Sequence, residues 1–175
     1  MTKPFRNENL SRFDLRRMDS LSNTIFGIAM TLLAYDIPKP SSVGGVPDLE
    51  TIVAIYGSRF VAIFLSFAVA GIFWISHHRR LALAPNAGPV TVFGNLLFLL
   101  TIILLPITTG LYGTYGGSVD VIRLYIWHLT TIATVNALLW YFVVGPNLKV
   151  LASPIFSVGI FVAASVLAIA YPMST

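Results

Sequence analysis

The chain has 175 residues, of which 56% are hydrophobic and only 10% charged; intrinsic disorder needs the opposite balance, and a water-soluble enzyme of this size would expose large apolar patches. Cysteine is absent, which excludes disulfides, thiolate metal sites and a cysteine nucleophile. Eleven Lys and Arg against seven Asp and Glu give a net charge of +4, and with a mean hydropathy of +0.81 that charge reads as membrane topology, not as nucleic-acid binding.

A helix crosses the hydrocarbon core with about 20 residues. The segment 1–20 is polar and basic and reads as a cytoplasmic tail, neither a signal peptide nor a span; 21–175 reads as one transmembrane domain. The first expected span runs from Leu21 to Ile37, stopped by Pro38 and Pro40. The second runs from Ile52 to Ile75, before His77-His78-Arg79-Arg80. The third runs from Val90 to Tyr112, after Pro85-Asn86-Ala87-Gly88-Pro89. The fourth spans Val121 to Val144 and the fifth Val150 to Ala170, separated by Gly145-Pro146-Asn147. Connectors this short make consecutive helices antiparallel neighbours, and the runs lack the period-two alternation of a membrane barrel. The fold class is therefore an all-α polytopic membrane protein. Gly113-Thr114-Tyr115-Gly116-Gly117 is similar to a carbonyl filter, but lacks the Val-Gly step and a pore helix before it, and reads as an outer turn.

Orientation follows the basic residues. Lys3, Arg6, Arg12, Arg16 and Arg17 precede the first span, Arg79 and Arg80 follow the second, and Lys149 follows the fourth. The other side holds Lys39 with Asp48, Glu50 and Asp120. The N-terminus is thus expected in the cytoplasm, in the cell membrane, and five spans would leave the C-terminus outside. Arg59 and Arg123, near the outer ends of spans two and four, read as snorkelling to headgroups.

Polar groups in lipid are costly and hence informative. The first span holds the densest set. Ser22 and Asn23 lie at its inner end and Asp36 at its outer end, while Ile28, Leu32 and Tyr35 share one face with Thr31 beside them. On spacing alone, Asp19, Ser22 and Asn23 read as helix caps and the stripe as a lipid-facing or packing face. His128 and Asn136 in the fourth span, like Asn95 in the third, read as hydrogen-bonding groups between helices. Adjacent His77 and His78 point to different sides of a helix and make no metal site. No nucleophile triad, phosphate loop or dinucleotide fingerprint occurs, so the chain is not read as an enzyme.

Three blocks in order carry a resemblance. Arg17-Met18-Asp19-Ser20-Leu21-Ser22-Asn23 leads into Ile25-Phe26-Gly27-Ile28-Ala29-Met30-Thr31-Leu32-Leu33 and Asp36-Ile37-Pro38; then come Trp74 with His77-His78-Arg79, and Asn95-Leu96-Leu97-Phe98-Leu99 with Leu105-Pro106-Ile107-Thr108-Thr109. Together they resemble the transmembrane protein 175 family of lysosomal and prokaryotic potassium channels, from Arg17 to about Tyr115. The family's Phe-Ser-Asp is Leu21-Ser22-Asn23 here, losing an aromatic and a carboxylate. Family repeats have six helices, and the chain ends about where a sixth would start.

The resemblance implies a homotetramer whose pore is lined by four copies of the first helix, with a ring of aliphatic side chains in place of a carbonyl filter. By position that constriction is Ile28, with Leu32 and Tyr35 outward of it and Thr31 offering hydroxyls. Asp36 and Asp48 would concentrate cations at the outer mouth. Arg17, Ser22, Asn23, Trp74, His77 and Asn95 would form a network holding the first helix to the second and third. Potassium is the expected permeant ion, with no cofactor, metal, nucleic acid or organic substrate; membrane lipid and further copies of the chain are the expected partners. A proton-coupled secondary transporter or proton-permeable channel is the alternative, and a non-conducting structural protein a third reading.

Overall fold

The computed structural model describes residues 5–35, 37–39, 42–84 and 88–170, with side chains from residue 15 onward. Five helices follow one another: α1 (Phe5–Leu32), α2 (Leu49–Leu83), α3 (Pro89–Tyr115), α4 (Val119–Val144) and α5 (Leu148–Ala170). Four of them, α2 to α5, are long and apolar enough to cross a membrane. The charge-free stretch of α1 is 20–32, about 20 Å at 1.5 Å per residue, short of the roughly 30 Å hydrocarbon core.

Several boundaries differ from the sequence reading, most of all at the start: α1 begins at Phe5 and not at Leu21, so the segment read as a polar tail is helical from residue 5. Regular helix in the first span ends at Leu32 and not at Ile37. Beyond it the chain tightens into three-residue turns, Tyr35 N–H donating to Leu32 O at 2.9 Å. α2 runs on through the His-His-Arg-Arg cluster to Leu83, where His77 and Arg80 are buried against other helices while His78 and Arg79 are exposed. The Gly-Thr-Tyr-Gly-Gly segment is also split: Gly113 to Tyr115 finish α3 and the turn begins at the capping Gly116.

Local signals explain the ends. Asp48 caps α2 by accepting the Thr51 N–H at 2.9 Å. Those Thr51 hydrogen bonds, first of its side chain and then of its backbone, hold the Asp48 carboxyl below its ordinary value. Pro89 opens α3, where a missing N–H costs nothing. Gly145 ends α4 at φ 74°, a left-handed conformation that favours glycine.

Side-chain contacts set the direction of packing. Ser58, early in α2, donates to Gly113 O late in α3 at 2.9 Å; Arg123, early in α4, donates to Ala168 O late in α5 at 3.2 Å. Consecutive helices are antiparallel, as the short connectors require. α3 is the central element, packed against α1, α2 and α4, and α5 lies against α4. The core is contiguous: Phe26 and Ala29 of α1, with Leu33 just after it, meet Ala70 and Phe73 of α2, Phe98 and Ile102 of α3, and Leu129 and Ile132 of α4. A Cβ on Gly113 would lie 3.2 Å from Arg59 Cα and 3.3 Å from Ala62 Cβ, so this glycine sets how closely α2 and α3 approach.

Candidate functional site

α1 has two unlike faces. Met18, Ser22, Phe26, Ala29 and Leu33 recur every three or four residues and are buried, the spacing of one helical face. The opposite face is left bare. Ile28 is 54% exposed, Leu32 43% and Tyr35 80%, and Ser20, Thr24, Gly27 and Thr31 are exposed with them. Small and hydroxylated residues thus alternate with the aliphatic ones along the uncovered side. The sequence reading of that side stopped at Ile28, and missed Ser20, Thr24 and Gly27 below it, which counting back in threes and fours would have found.

Thr31 donates its hydroxyl proton to Ile28 O at 2.8 Å. Its oxygen therefore turns lone pairs, not a proton, outward, which suits a cation. Leu32 and Tyr35 additionally border an apolar groove against α3, lined by Ile103, Pro106, Ile107 and Tyr115. Of the two acidic residues assigned to an outer mouth, Asp36 lies outside the described residues. Asp48 is placed at the start of α2, with one oxygen engaged in capping.

The residues grouped as one network fall into separate clusters. Asn95 donates to Ser22 Oγ at 3.2 Å, and Ser22 to Met18 O at 2.7 Å, both inside the bundle. Trp74 Nε1 donates to Asn23 Oδ1 at 2.7 Å on the exposed side, and Asn23 Nδ2 donates to Asp19 at 3.3 Å. Asp19, Ser22 and Asn23 do not cap the helix, since α1 begins at Phe5 and they are several turns inside it. Arg17 is on the exposed side of α1.

His77 bonds within α2, to a residue the sequence reading did not assign. Arg80 is 1% exposed; it donates to His77 Nδ1 at 2.8 Å and to Asn136 Oδ1 of α4 at 2.7 Å, and its guanidinium lies 5.2 Å from the Phe98 ring centre. With Nδ1 accepting, the His77 proton is on Nε2. His77 packs against Phe98 and Phe26, ring centres 5.7 and 6.0 Å away. Asn136 Nδ2 and Trp140 Nε1 both donate to Ser76 Oγ, at 3.0 and 2.9 Å. A chain of polar and aromatic contacts therefore runs from α4 through Arg80 and His77 to Phe26 on the buried side of α1. Nothing in one sequence distinguishes Arg80 from its exposed neighbour Arg79.

A second polar cluster links α2, α3 and α4 further along. Thr109 Oγ1 donates to Ser66 Oγ at 2.7 Å, and Ser66 Oγ meets Tyr125 Oη at 2.7 Å. His128 bonds α3 twice, with Nε2 on Thr101 O at 3.1 Å and Nδ1 on Thr108 Oγ1 at 2.8 Å, beside the helix-internal Pro106. Arg123 is held by Ala168 O and by Asp120 at 3.5 Å. Arg59 turns back on its own helix, to Ile55 O. Among the described residues no three His, Asp or Glu side chains converge as metal ligands.

The sequence model of the family described as "Endosomal/lysosomal potassium channel TMEM175" matches residues 17–106, more than half of the chain. A potassium channel of Streptomyces collinus is 31% identical over 99 residues, covering 57% of this chain and 48% of its own. A potassium channel of Chamaesiphon minutus is 29% identical over 101 residues, covering 57% and 49%. A zebrafish endosomal/lysosomal proton channel TMEM175 is 38% identical over 69 residues, 35% of this chain and 13% of that one. These alignments cover less than half the length of each relative. The crystal structure of a lysosomal potassium-selective channel TMEM175 homolog from Chamaesiphon minutus superposes with a TM-score of 0.81 at 23% identity, over 90% of this chain and 88% of that one. At that identity the likeness establishes the fold.

Proposed function

The chain belongs to the TMEM175 family of ion channels, not to a family of enzymes, and on that premise we propose that it is one subunit of a passive, potassium-selective channel. It is a multi-pass membrane protein; the reading adds that the membrane is the cell membrane, with the N-terminus in the cytoplasm. Four copies surround an axis, and the bare side of α1 from each forms the wall. The observation that carries this reading is the asymmetry of α1: one face is fully used by its own bundle, while Ile28, Leu32 and Tyr35 on the other are 54%, 43% and 80% exposed.

In this reading Ile28 is the constriction. Four isoleucine side chains around an axis exclude water, and an ion there loses hydration without compensation. Conduction requires the α1 helices to tilt or rotate apart. Outward of the constriction, the Thr31 oxygens replace part of the lost hydration, and the larger, more easily stripped potassium ion is favoured over sodium. Leu32 and Tyr35 widen toward the exit, where Asp36 and Asp48 raise the local cation concentration. Arg17, Ser22, Asn23, Trp74, His77 and Asn95 hold α1 in register with α2 and α3.

Potassium flux from reconstituted liposomes tests the proposal. Flux that follows the potassium gradient, with no imposed proton gradient, supports a passive channel. Ile28→Asn is expected to wet the constriction, raise flux and lower discrimination against sodium; unchanged permeability and selectivity would remove Ile28 from the role. The zebrafish relative's name favours a second reading, proton permeation, which predicts proton flux down an imposed pH gradient; proton coupling would instead stop potassium flux when the proton gradient is collapsed.

A further inference from the structure

A cavity of 350 Å³ opens between α2, α4 and α5, away from the bare side of α1. Its wall is mixed: Ile72, Ile75 and Val150 are apolar, Ser76, Asn136, Ser153 and Ser157 polar, and Arg79 and Lys149 supply two cations. Both basic side chains are exposed, and neither donates to an acceptor among the described residues. They belong to the two helix ends that the charge distribution assigns to one membrane face, Arg79 to the end of α2 and Lys149 to the first turn of α5.

We propose that this cavity binds the phosphate headgroup of an anionic phospholipid, with Arg79 and Lys149 as its cationic partners. The charge is complementary, and two uncompensated cations beside a groove between membrane helices select a phosphate carried on a lipid. The exposed Ser153 hydroxyl is a further polar group on the cavity lining. The apolar side, Ile72, Ile75 and Val150, receives the upper acyl chain, which a free phosphate lacks. The volume is in the range of small-ligand sites. The site also has a route inward. Ser76 and Asn136 line the cavity and bond each other, and Asn136 also holds Arg80, whose partner His77 packs on Phe26 of α1. A bound headgroup therefore stiffens the same contacts that position α1.

Each basic side chain near an anionic headgroup contributes about fivefold in partition, so two contribute about 30-fold. Native mass spectrometry of the whole purified chain, offered equal phosphatidylglycerol and phosphatidylcholine, reads that ratio directly. The wild type is expected to retain phosphatidylglycerol by about 30-fold. Arg79→Gln with Lys149→Gln is expected to bring the ratio near unity, while Arg16→Gln, which removes a positive charge on α1, leaves it unchanged. Ser153→Phe fills the cavity without altering charge and is expected to lose retained lipid of both kinds, which keeps the test open if the double variant folds poorly. Inorganic phosphate in hundredfold excess is expected not to displace the lipid. Equal retention of the two lipids by the wild type, a preference that survives the double variant, full retention by Ser153→Phe, or displacement by inorganic phosphate would each overturn the proposal. Because none of these readouts involves conduction, they stand or fall apart from the channel reading.

Discussion

Removing Asn136 probes the contact on which the inner half of the bundle converges. Its Oδ1 accepts from Arg80 Nη1 at 2.7 Å, and its Nδ2 donates to Ser76 at 3.0 Å. Asn136→Leu deletes one charge-assisted hydrogen bond, worth about 1.5–3 kcal/mol, and one neutral bond, worth about 0.5–1.5 kcal/mol. Arg80, 1% exposed, keeps only the His77 nitrogen and the Phe98 face as partners. Hydrogen bonds inside membrane bundles average lower, about 0.6 kcal/mol, so the expected loss is about 1–3 kcal/mol. Removing both partners, as Arg80→Met with Asn136→Leu, eliminates the stranded charge and is expected to recover most of that loss. The assay is a double-mutant cycle on reversible unfolding in mixed micelles, with all four chains measured under one condition. A coupling energy above about 1 kcal/mol supports the geometry. If Asn136→Leu costs less than about 0.5 kcal/mol, or if the double variant is the sum of the singles, Arg80 is not held as described.

Gly113→Leu must push α2 from α3, since even a Cβ meets Arg59 Cα at 3.2 Å; a loss of about 1–3 kcal/mol is expected in the same assay, with Gly113→Ala intermediate. Asn23→Asp restores the carboxylate of the family motif but replaces a donor toward Asp19 at 3.3 Å with a like charge. On this exposed side the expected cost is about 0.2–0.5 kcal/mol, partly recovered by added salt, and a stabilised variant would mean that the Trp74 hydrogen bond outweighs the repulsion. Thr31→Val keeps shape and removes the outward lone pairs; because Thr31 is exposed, liposome potassium flux is expected to fall with unfolding unchanged. Equal flux in Thr31→Val and wild type would take Thr31 out of the proposed ion path.

Five helices, their order and their antiparallel sense were readable from apolar runs and Pro/Gly breakers, because lipid permits little else. That Ile28, Leu32 and Tyr35 share a face was readable too, by helical spacing alone; that the face is bare was not. Asn136 and His128 read correctly as interhelical bonds, being polar groups with no water to turn to. Helix ends were harder. α2 passes through its basic cluster and α1 stops early, because the partners that stabilise or release those turns come from other segments. The cap reading of Ser22 and Asn23 failed for the same reason: α1 starts at Phe5, and Ser22 is instead met by Asn95 of α3.

Arg79 and Arg80 mark the limit most clearly. The amino-acid order makes them equivalent: two adjacent cations ending an apolar run. A rotation of about 100° per residue around the helix sends one to the cavity mouth and the other into the bundle, 1% exposed. Which goes where depends on what waits on each side, Asn136 and Phe98 for Arg80, the α5 end for Arg79. Composition decides that the chain lives in a membrane and periodicity decides which sides of its helices differ. Only the packed bundle decides which polar groups meet, because that depends on residues far apart in the chain being brought within 3 Å.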